Sequence, residues 1–326
     1  MTRASAPGKI ILFGEHAVVY EQPALAVPVT QVHADVEITN WDSSQKPLSN
    51  DPLASIWIDA PGIDLKKFLS DLPADNPIRF TFQNFVTFSQ IELTSLMDQF
   101  NTNGITIHIT SSIPVASGLG SGAAVSAALI RALSLHFLQP LTAAQINQLC
   151  YETEKIHHGN PSGIDNTVIT FAEPVYFTRG KPIQTFRTGK PFTLVIANTG
   201  IPAPTKESVS DVRKLWQSDT VYWGKVFSEI GAIASNAKNI IEQGNWQLLG
   251  PLMNENHRLL QELTVSSPEL DSMVNTALGS GAIGAKLSGG GRGGNIIALV
   301  DHHNQEKVAS ALEKLSNTAP IITTIQ

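Results

Sequence analysis

Gly118, Gly120 and Gly122 alternate with Leu119 and Ser121, and a run rich in alanine and leucine follows them to Leu138. Glycines lack a Cβ, so successive backbone N–H groups can turn toward one point. The first turn of a following helix adds unpaired N–H groups and a positive dipole end facing the same way. A polyphosphate suits such a cradle, and the same residues also suit a plain strand-to-helix turn packed closely for steric reasons. Lys9 precedes the apolar run Ile10 to Phe13 and reads either as a solvated surface charge at a strand mouth or as a cationic site. Glu15 and His16 follow it, either as a hydrogen-bonded structural pair or as reacting groups. Glu154 borders a helical stripe of Ile146, Leu149, Cys150, Thr153 and His157, which makes it a half-buried acid, whereas Glu152 and Lys155 point away. Asp165, in Asn-Pro-Ser-Gly-Ile-Asp-Asn, is by itself an ordinary turn aspartate.

The elements that must position these residues follow from periodicity. Pro23 to Thr39 alternates as long β structure, Ser55 to Asp59 is a short strand, and Asp42 to Asp51 is a polar loop. Asn76-Pro77 opens a helical segment expected to continue to Phe100, and strand Ile105 to Ile109 leads into the glycine loop. The loop thus joins a strand to a helix that ends before Pro140. Thr142 with Gln145 makes a capping box for the next helix, Gly159 stops it, and Thr167 to Phe171 reads as a strand. The turns of Thr178 to Lys190 mark a boundary, placed after Arg187, between domains 1–187 and 188–326. Beyond it come strand Phe192 to Ala197, helices from Thr205 to Leu263 and a helix opened by Ser267-Pro268-Glu269. Strand Gly284 to Leu287, a glycine turn, strand Asn295 to Val300, helix Asn304 to Ser316 and strand Ile321 to Ile325 complete a βαββαβ, ferredoxin-like order once the extra helices are set aside. The fold class is α+β.

Composition narrows the function classes. The 326 residues are 42% hydrophobic and only 15% charged, enough to bury the cores of two domains. A net charge of -6 without long runs of one sign points away from nucleic acid and from a polybasic membrane anchor, and toward a small-molecule partner. Cys150 is the only cysteine, which excludes an internal disulfide and a thiolate metal cluster and agrees with a reducing compartment, so the cytoplasm is the expected location. The N-terminal residues lack an apolar signal core, and no stretch reaches the roughly 18 apolar residues of a membrane helix.

Gly289 to Gly294 satisfies Gly-x-Gly-x-x-Gly literally, but the following Asn-Ile-Ile-Ala-Leu-Val reads as a strand where a dinucleotide fingerprint needs a helix. It is a hairpin turn. The Walker A pattern is absent, so a nucleotide must use another cradle.

Three separated segments together resemble the galactokinase, homoserine kinase, mevalonate kinase and phosphomevalonate kinase (GHMP) family. They are Pro7-Gly-Lys-x-x-Leu-Phe-Gly-Glu-His, Pro114-x-x-x-Gly-Leu-Gly-Ser-x-Ala-Ala and Lys286-Leu-Ser-Gly-Gly-Gly-x-Gly-Gly. The match spans nearly the whole chain, and the segment from Gly8 to Tyr20 with His158 to Asn166 resembles the mevalonate kinase branch. The galactose signature of galactokinases is missing. The resemblance implies an N-terminal ATP-binding domain like ribosomal S5 domain 2 and a C-terminal ferredoxin-like domain. It also implies ATP with Mg²⁺, and transfer of phosphate to the C5 hydroxyl of mevalonate in isoprenoid biosynthesis. Pro114, Ser117, Gly118, Leu119, Gly120, Ser121, Gly122 and Ala123 correspond to the phosphate loop, and Ser288, Gly289, Gly290 and Gly291 to the turn that supports it. Glu154 corresponds to the metal-binding acid, Asp165 to the catalytic aspartate and Lys9 to the lysine that interacts with it and with the substrate hydroxyl. Glu15, His16 and Thr205 correspond to positions that face mevalonate. No nucleic acid or membrane partner is implied, and a homodimer is compatible with the family.

Two positions depart from the family. Gly122 stands where many relatives carry a second serine that reaches Mg²⁺, leaving Ser121 or water to take that place. Ala203 stands where animal mevalonate kinases carry an arginine, so carboxylate recognition rests elsewhere or the substrate differs. An alcohol is too weak an acid to ionise near neutrality. Asp165 would accept its proton as the bond forms, with Lys9 favouring the developing alkoxide and backbone N–H groups the triphosphate. The competing readings are a kinase of the same fold acting on phosphomevalonate, another mevalonate hydroxyl or a sugar, and a pseudokinase that only senses ATP or a metabolite.

Overall fold

The computed structural model describes residues 1–42, 51–93, 95, 102–114, 117–159, 161–182 and 184–326, leaving aside the side chains of 157 and 158. Contacts divide the chain into two compact units. The first comprises Met1–Gly8, the described residues of Val32–Pro114, and Gly120–Phe171. The second comprises Lys9–Gln31, the described residues of Val115–Leu119, and Ala172–Gln326. These units are discontinuous in sequence.

In the first unit, strand Ile105–Ser111 pairs antiparallel with residues 34–40 of strand Ala24–Asn40 and parallel with strand Ile56–Ala60, which pairs antiparallel with Leu65–Phe68. Alternation along Ile105–Ser111 buries Ile105, Ile107 and Ile109 on one face, the period-2 signature of a half-covered strand. Helices Pro77–Phe88, Ser121–His136, Ala143–His158 and Ile164–Phe171 pack together. The Ser121–His136 helix is central because its alanines (Ala123, Ala124, Ala127, Ala128 and Ala132) let neighbouring backbones approach from several sides. Asn76 caps the first helix by accepting from the N–H groups of Ile78 and Arg79, with Pro77 at its first position. That helix stops at Phe88 and does not continue to Phe100, residues 96–101 lying outside the described set. The capping box holds: the Gln145 N–H donates to Thr142 Oγ1 at 3.3 Å, and the Thr142 N–H to Gln145 Oε1 at 2.8 Å.

Thr167 to Phe171 is a helix, not the expected strand. The β-branched run Thr167-Val-Ile-Thr170 suggests a strand on propensity alone, but burial against the neighbouring helices overrides it. The Thr167 hydroxyl returns to the Gly163 carbonyl at 2.6 Å, which satisfies it inside the helix.

In the second unit, strands Phe192–Asn198, Gly284–Ser288, Asn295–Val300 and Ile321–Ile325 form an antiparallel sheet ordered fourth, first, third, second. This is the ferredoxin-like order expected from the sequence. Asn295–Val300 is buried at every position, as its apolar run requires of an interior strand. Helices Thr205–Ser218, Thr220–Glu242, Leu249–Glu262, Pro268–Gly279 and Gln305–Ser316 belong to the same unit. Its core gathers Val195, Phe227, Leu260, Leu287 and Ile296 with Ala17 from near the N-terminus, and Tyr20 stacks on Phe227 at 4.1 Å between ring centres.

Candidate active site

In the second unit, Lys9 lies within strand Thr2–Phe13 rather than at its mouth, because Pro7-Gly8 is extended strand and not a turn. Lys9 is 4% exposed, so the reading as a solvated surface charge is set aside. Its N–H donates to the Leu119 carbonyl at 3.0 Å, tying the strand to the glycine loop. Leu119 is buried as the apolar anchor of that loop, and Gly118 is exposed with φ of 77°. That left-handed conformation is one that only glycine adopts readily. Ser117 is buried, and its carbonyl accepts from the Asn295 side chain.

Glu15 and His16 do not pair with each other. Glu15 forms an ion pair with Lys286, both fully enclosed, and Lys286 also donates to its neighbouring Leu287 carbonyl at 2.6 Å. Burial pushes the Glu15 carboxyl up and the Lys286 ammonium down, with the attraction between them acting against both shifts. His16 sits at φ of 60° with its ring buried, and donates from Nε2 to the Gly290 carbonyl at 3.1 Å. Burial lowers its pKa to about 4, which keeps the ring neutral at pH 7 and leaves Nδ1 as an acceptor.

The glycine turn is packed from several directions. Ser288 donates to the Ile11 carbonyl at 2.8 Å. A Cβ on Gly290 would fall 2.8 Å from Oγ1 of Thr205, the first residue of its helix, so the absence of a side chain there allows Thr205 to approach. The Arg292 N–H donates to the Val265 carbonyl at 2.7 Å, and its guanidinium reaches Asp211 at 2.6 Å. Within the second unit the structure thus brings His16 and Thr205 to Gly290, Glu15 to Lys286 and Ser288 to Ile11, while Lys9 meets Leu119 and Ser117 meets Asn295.

In the first unit, Gly120 caps the Ser121–His136 helix with φ of 76°, its carbonyl accepting from Ala124 at 2.9 Å. The N–H groups of that helix's first turn, which begins with Ser121, Gly122 and Ala123, have no acceptor within the helix, and the dipole favours an anion there. Glu154 is 6% exposed, more buried than the half-buried acid of the sequence reading, whereas Glu152 is only partly buried, its side chain 41% exposed and paired with Lys155 at 2.7 Å. Oε1 of Glu154 lies 3.6 Å from the place of a Cβ on Gly122. A side chain at this position would meet the Glu154 carboxylate in ordinary van der Waals contact. Asp165 occupies the first turn of helix Ile164–Phe171, half-buried, where the dipole favours a carboxylate. Its neighbour Asn166 is fixed by donating to Asn147 at 2.6 Å. Pro114 is exposed at the start of the loop.

Sequence reasoning passed over Lys286, Arg292 and Asn295. A lysine inside the apolar strand Gly284–Ser288 is itself a signal, since a buried charge needs a partner.

Sequence profiles described as the N-terminal domain and the C-terminal domain of GHMP kinases match residues 89–173 and 236–317. The mevalonate kinase of Pyrococcus horikoshii is 35% identical over 333 residues, covering 99% of this chain and 95% of the relative. The chain is a member of the GHMP kinase family. This kinase is also 31% identical to the mevalonate kinase of Saccharolobus solfataricus, over 92% of the chain and 90% of the relative. Among solved structures, L. major mevalonate kinase in complex with R-mevalonate superposes with a TM-score of 0.81 at 28% identity, covering 100% of the kinase and 96% of that chain. Among the described residues of the kinase no helix is long and apolar enough to cross a membrane, and no group of three or more His, Cys, Asp or Glu is placed to hold a metal ion.

Proposed function

We infer that this enzyme phosphorylates the C5 hydroxyl of mevalonate with ATP to give 5-phosphomevalonate. The observation that carries the reading is the full-length similarity to mevalonate kinases, one of them solved with R-mevalonate. We assign the phosphates to the glycine loop and the N-terminal turn of Ser121–His136, where backbone N–H groups and the helix dipole favour negative charge. Mg²⁺ commonly keeps several waters and takes one or two carboxylates beside substrate phosphates, and a buried Glu154 beside Gly122, in the first turn of helix Ser121–His136, supports that role. When bound, the ion would supply charge neutralisation on the transferring phosphoryl group. Ser121 as a further ligand belongs to the same proposal.

Asp165 is proposed to take the hydroxyl proton, and Lys9 to stabilise the alkoxide as it develops. Neutral His16 and Thr205 would line the mevalonate side, while Glu15 acts by holding Lys286 and the strand that leads into the turn. Division of labour between an ATP-binding domain 1–187 and a ferredoxin-like domain 188–326, a cytoplasmic location and a homodimer complete the proposal. The deciding experiment is a coupled ADP-release assay over mevalonate, phosphomevalonate, homoserine and galactose, with the product located by phosphorus NMR. Mevalonate should be turned over fastest, with phosphate on the C5 oxygen. Faster turnover of any other substrate overturns the assignment, and no ADP release with any of them favours the pseudokinase.

A further inference from the structure

Asn295 opens strand Asn295–Val300, is 2% exposed, and stands opposite Asn198 in the sheet register. Four groups connect in one direction through these two side chains. The Gly200 N–H donates to Oδ1 of Asn198 at 2.7 Å, Nδ2 of Asn198 donates to Oδ1 of Asn295 at 2.9 Å, and Nδ2 of Asn295 donates to the Ser117 carbonyl. A backbone N–H can only donate and a backbone carbonyl can only accept, so the two ends of the chain dictate both carboxamide orientations. The Asn198 carbonyl is engaged as well, accepting from the Thr318 hydroxyl at 2.8 Å.

The Ser117 carbonyl and the Gly118 N–H belong to one planar trans peptide and point to opposite sides. With the carbonyl drawn onto Asn295, the Gly118 N–H is turned away from Asn295. Gly118 has no Cβ to resist a peptide flip, and a flipped unit would present a carbonyl oxygen where a phosphate needs a donor. We propose that the Asn198–Asn295 relay is a positioning device that sets the polarity of the 117–118 peptide and so keeps the Gly118 N–H available to the nucleotide phosphates. This rests on reading the glycine loop as the phosphate cradle. Both residues act through Ser117 and not on the substrate.

The experiment compares wild type with Asn295→Asp, Asn295→Ala, Asn198→Ala and the double alanine variant. Calorimetry with a non-hydrolysable ATP analogue and Mg²⁺ gives the nucleotide Kd, and steady-state assays give KM for ATP and for mevalonate. Asn295→Asp keeps the shape but turns acceptor against acceptor, so nucleotide Kd and KM for ATP should rise about tenfold, while KM for mevalonate stays within about threefold. Asn198→Ala, which leaves Asn295 in place, should raise nucleotide Kd in the same direction by about threefold, and the double alanine variant should be no worse than Asn295→Ala, as residues acting in series require. Kd values within about twofold of wild type in the Asn295 variants overturn the relay, as do equal rises in KM for both substrates, which would mark a merely structural role. If the Asn295 variants lose their circular dichroism signature, Asn198→Ala decides: an unchanged nucleotide Kd overturns the proposal. A wild-type chain that binds no nucleotide overturns the phosphate-cradle reading itself and the relay with it.

Discussion

Glu15 and Lys286, 271 positions apart in the chain, form an ion pair closed to solvent on both sides. Removing one partner leaves the other charged and buried, which costs about 3–5 kcal/mol. Lys286→Met should therefore lower the urea midpoint strongly, and adding Glu15→Gln should restore much of it. A Lys286→Met protein within about 1 kcal/mol of wild type would show that the pair does not hold the two segments together.

His16 gives stability a pH dependence of known sign. Its pKa is about 4 in the folded protein against an ordinary 6.5, so between those values the unfolded chain binds the proton that the folded one refuses. Stability is full above pH 6.5 and is lost as pH falls toward 4, by about 2 kcal/mol between pH 7 and pH 5. Denaturant titrations at a series of pH values check this, because His16→Gln should flatten that part of the profile. An equal slope in the variant assigns the dependence to other groups.

Asp165→Asn keeps the size of the side chain and removes the proton acceptor. We expect kcat to fall by roughly 10²- to 10⁴-fold with nucleotide affinity little changed. Should Lys9 serve the same proton transfer, Lys9→Met will cost much less in the Asp165→Asn background than alone. Near-normal kcat in Asp165→Asn, with chemistry shown to be rate-limiting, leaves Asp165 only a structural role in the first turn of helix Ile164–Phe171.

The two glutamates of helix Ala143–His158 make a paired test of the metal reading. Glu154 is buried beside Gly122, whereas Glu152 is only partly buried and paired with Lys155. Glu154→Gln should raise the Mg²⁺ concentration needed for half-maximal activity well above that of Glu152→Gln. Equal requirements remove Glu154 from the metal site.

Motif chemistry and strand alternation were legible in the sequence because they are local. The Asn76 and Thr142 caps, Gly159 as a helix stop and the four strands from Phe192 onward follow from residue types within a few positions of each other. Thr167 to Phe171 read wrongly because β-branched propensity is weak against tertiary burial. Lys9 read as a charge at a turn because Pro7-Gly8 ordinarily bends the chain, and here it runs straight. The roles of Lys286 and Asn295 were hidden for a different reason: their partners, Glu15 and Ser117, are 271 and 178 positions away.

Residues 9–31 group by contact with the C-terminal part of the chain, through Ile11 to Ser288, Glu15 to Lys286 and His16 to Gly290. Strand Thr2–Phe13 pairs with the nearby strand Ala24–Asn40, but these three contacts join residues 271 to 277 positions apart, and closure of so long a loop is intrinsically slow. A fragment of residues 188–326 made alone would carry Lys286 into its core without Glu15, and should stay open until a peptide spanning residues 1–31 is supplied. Mixing the two and following the return of circular dichroism would measure how far the N-terminal segment acts as the last piece of the C-terminal fold. Deleting residues 9–16 of this enzyme would therefore strip partners from Lys286, Ser288 and Gly290 far along the chain.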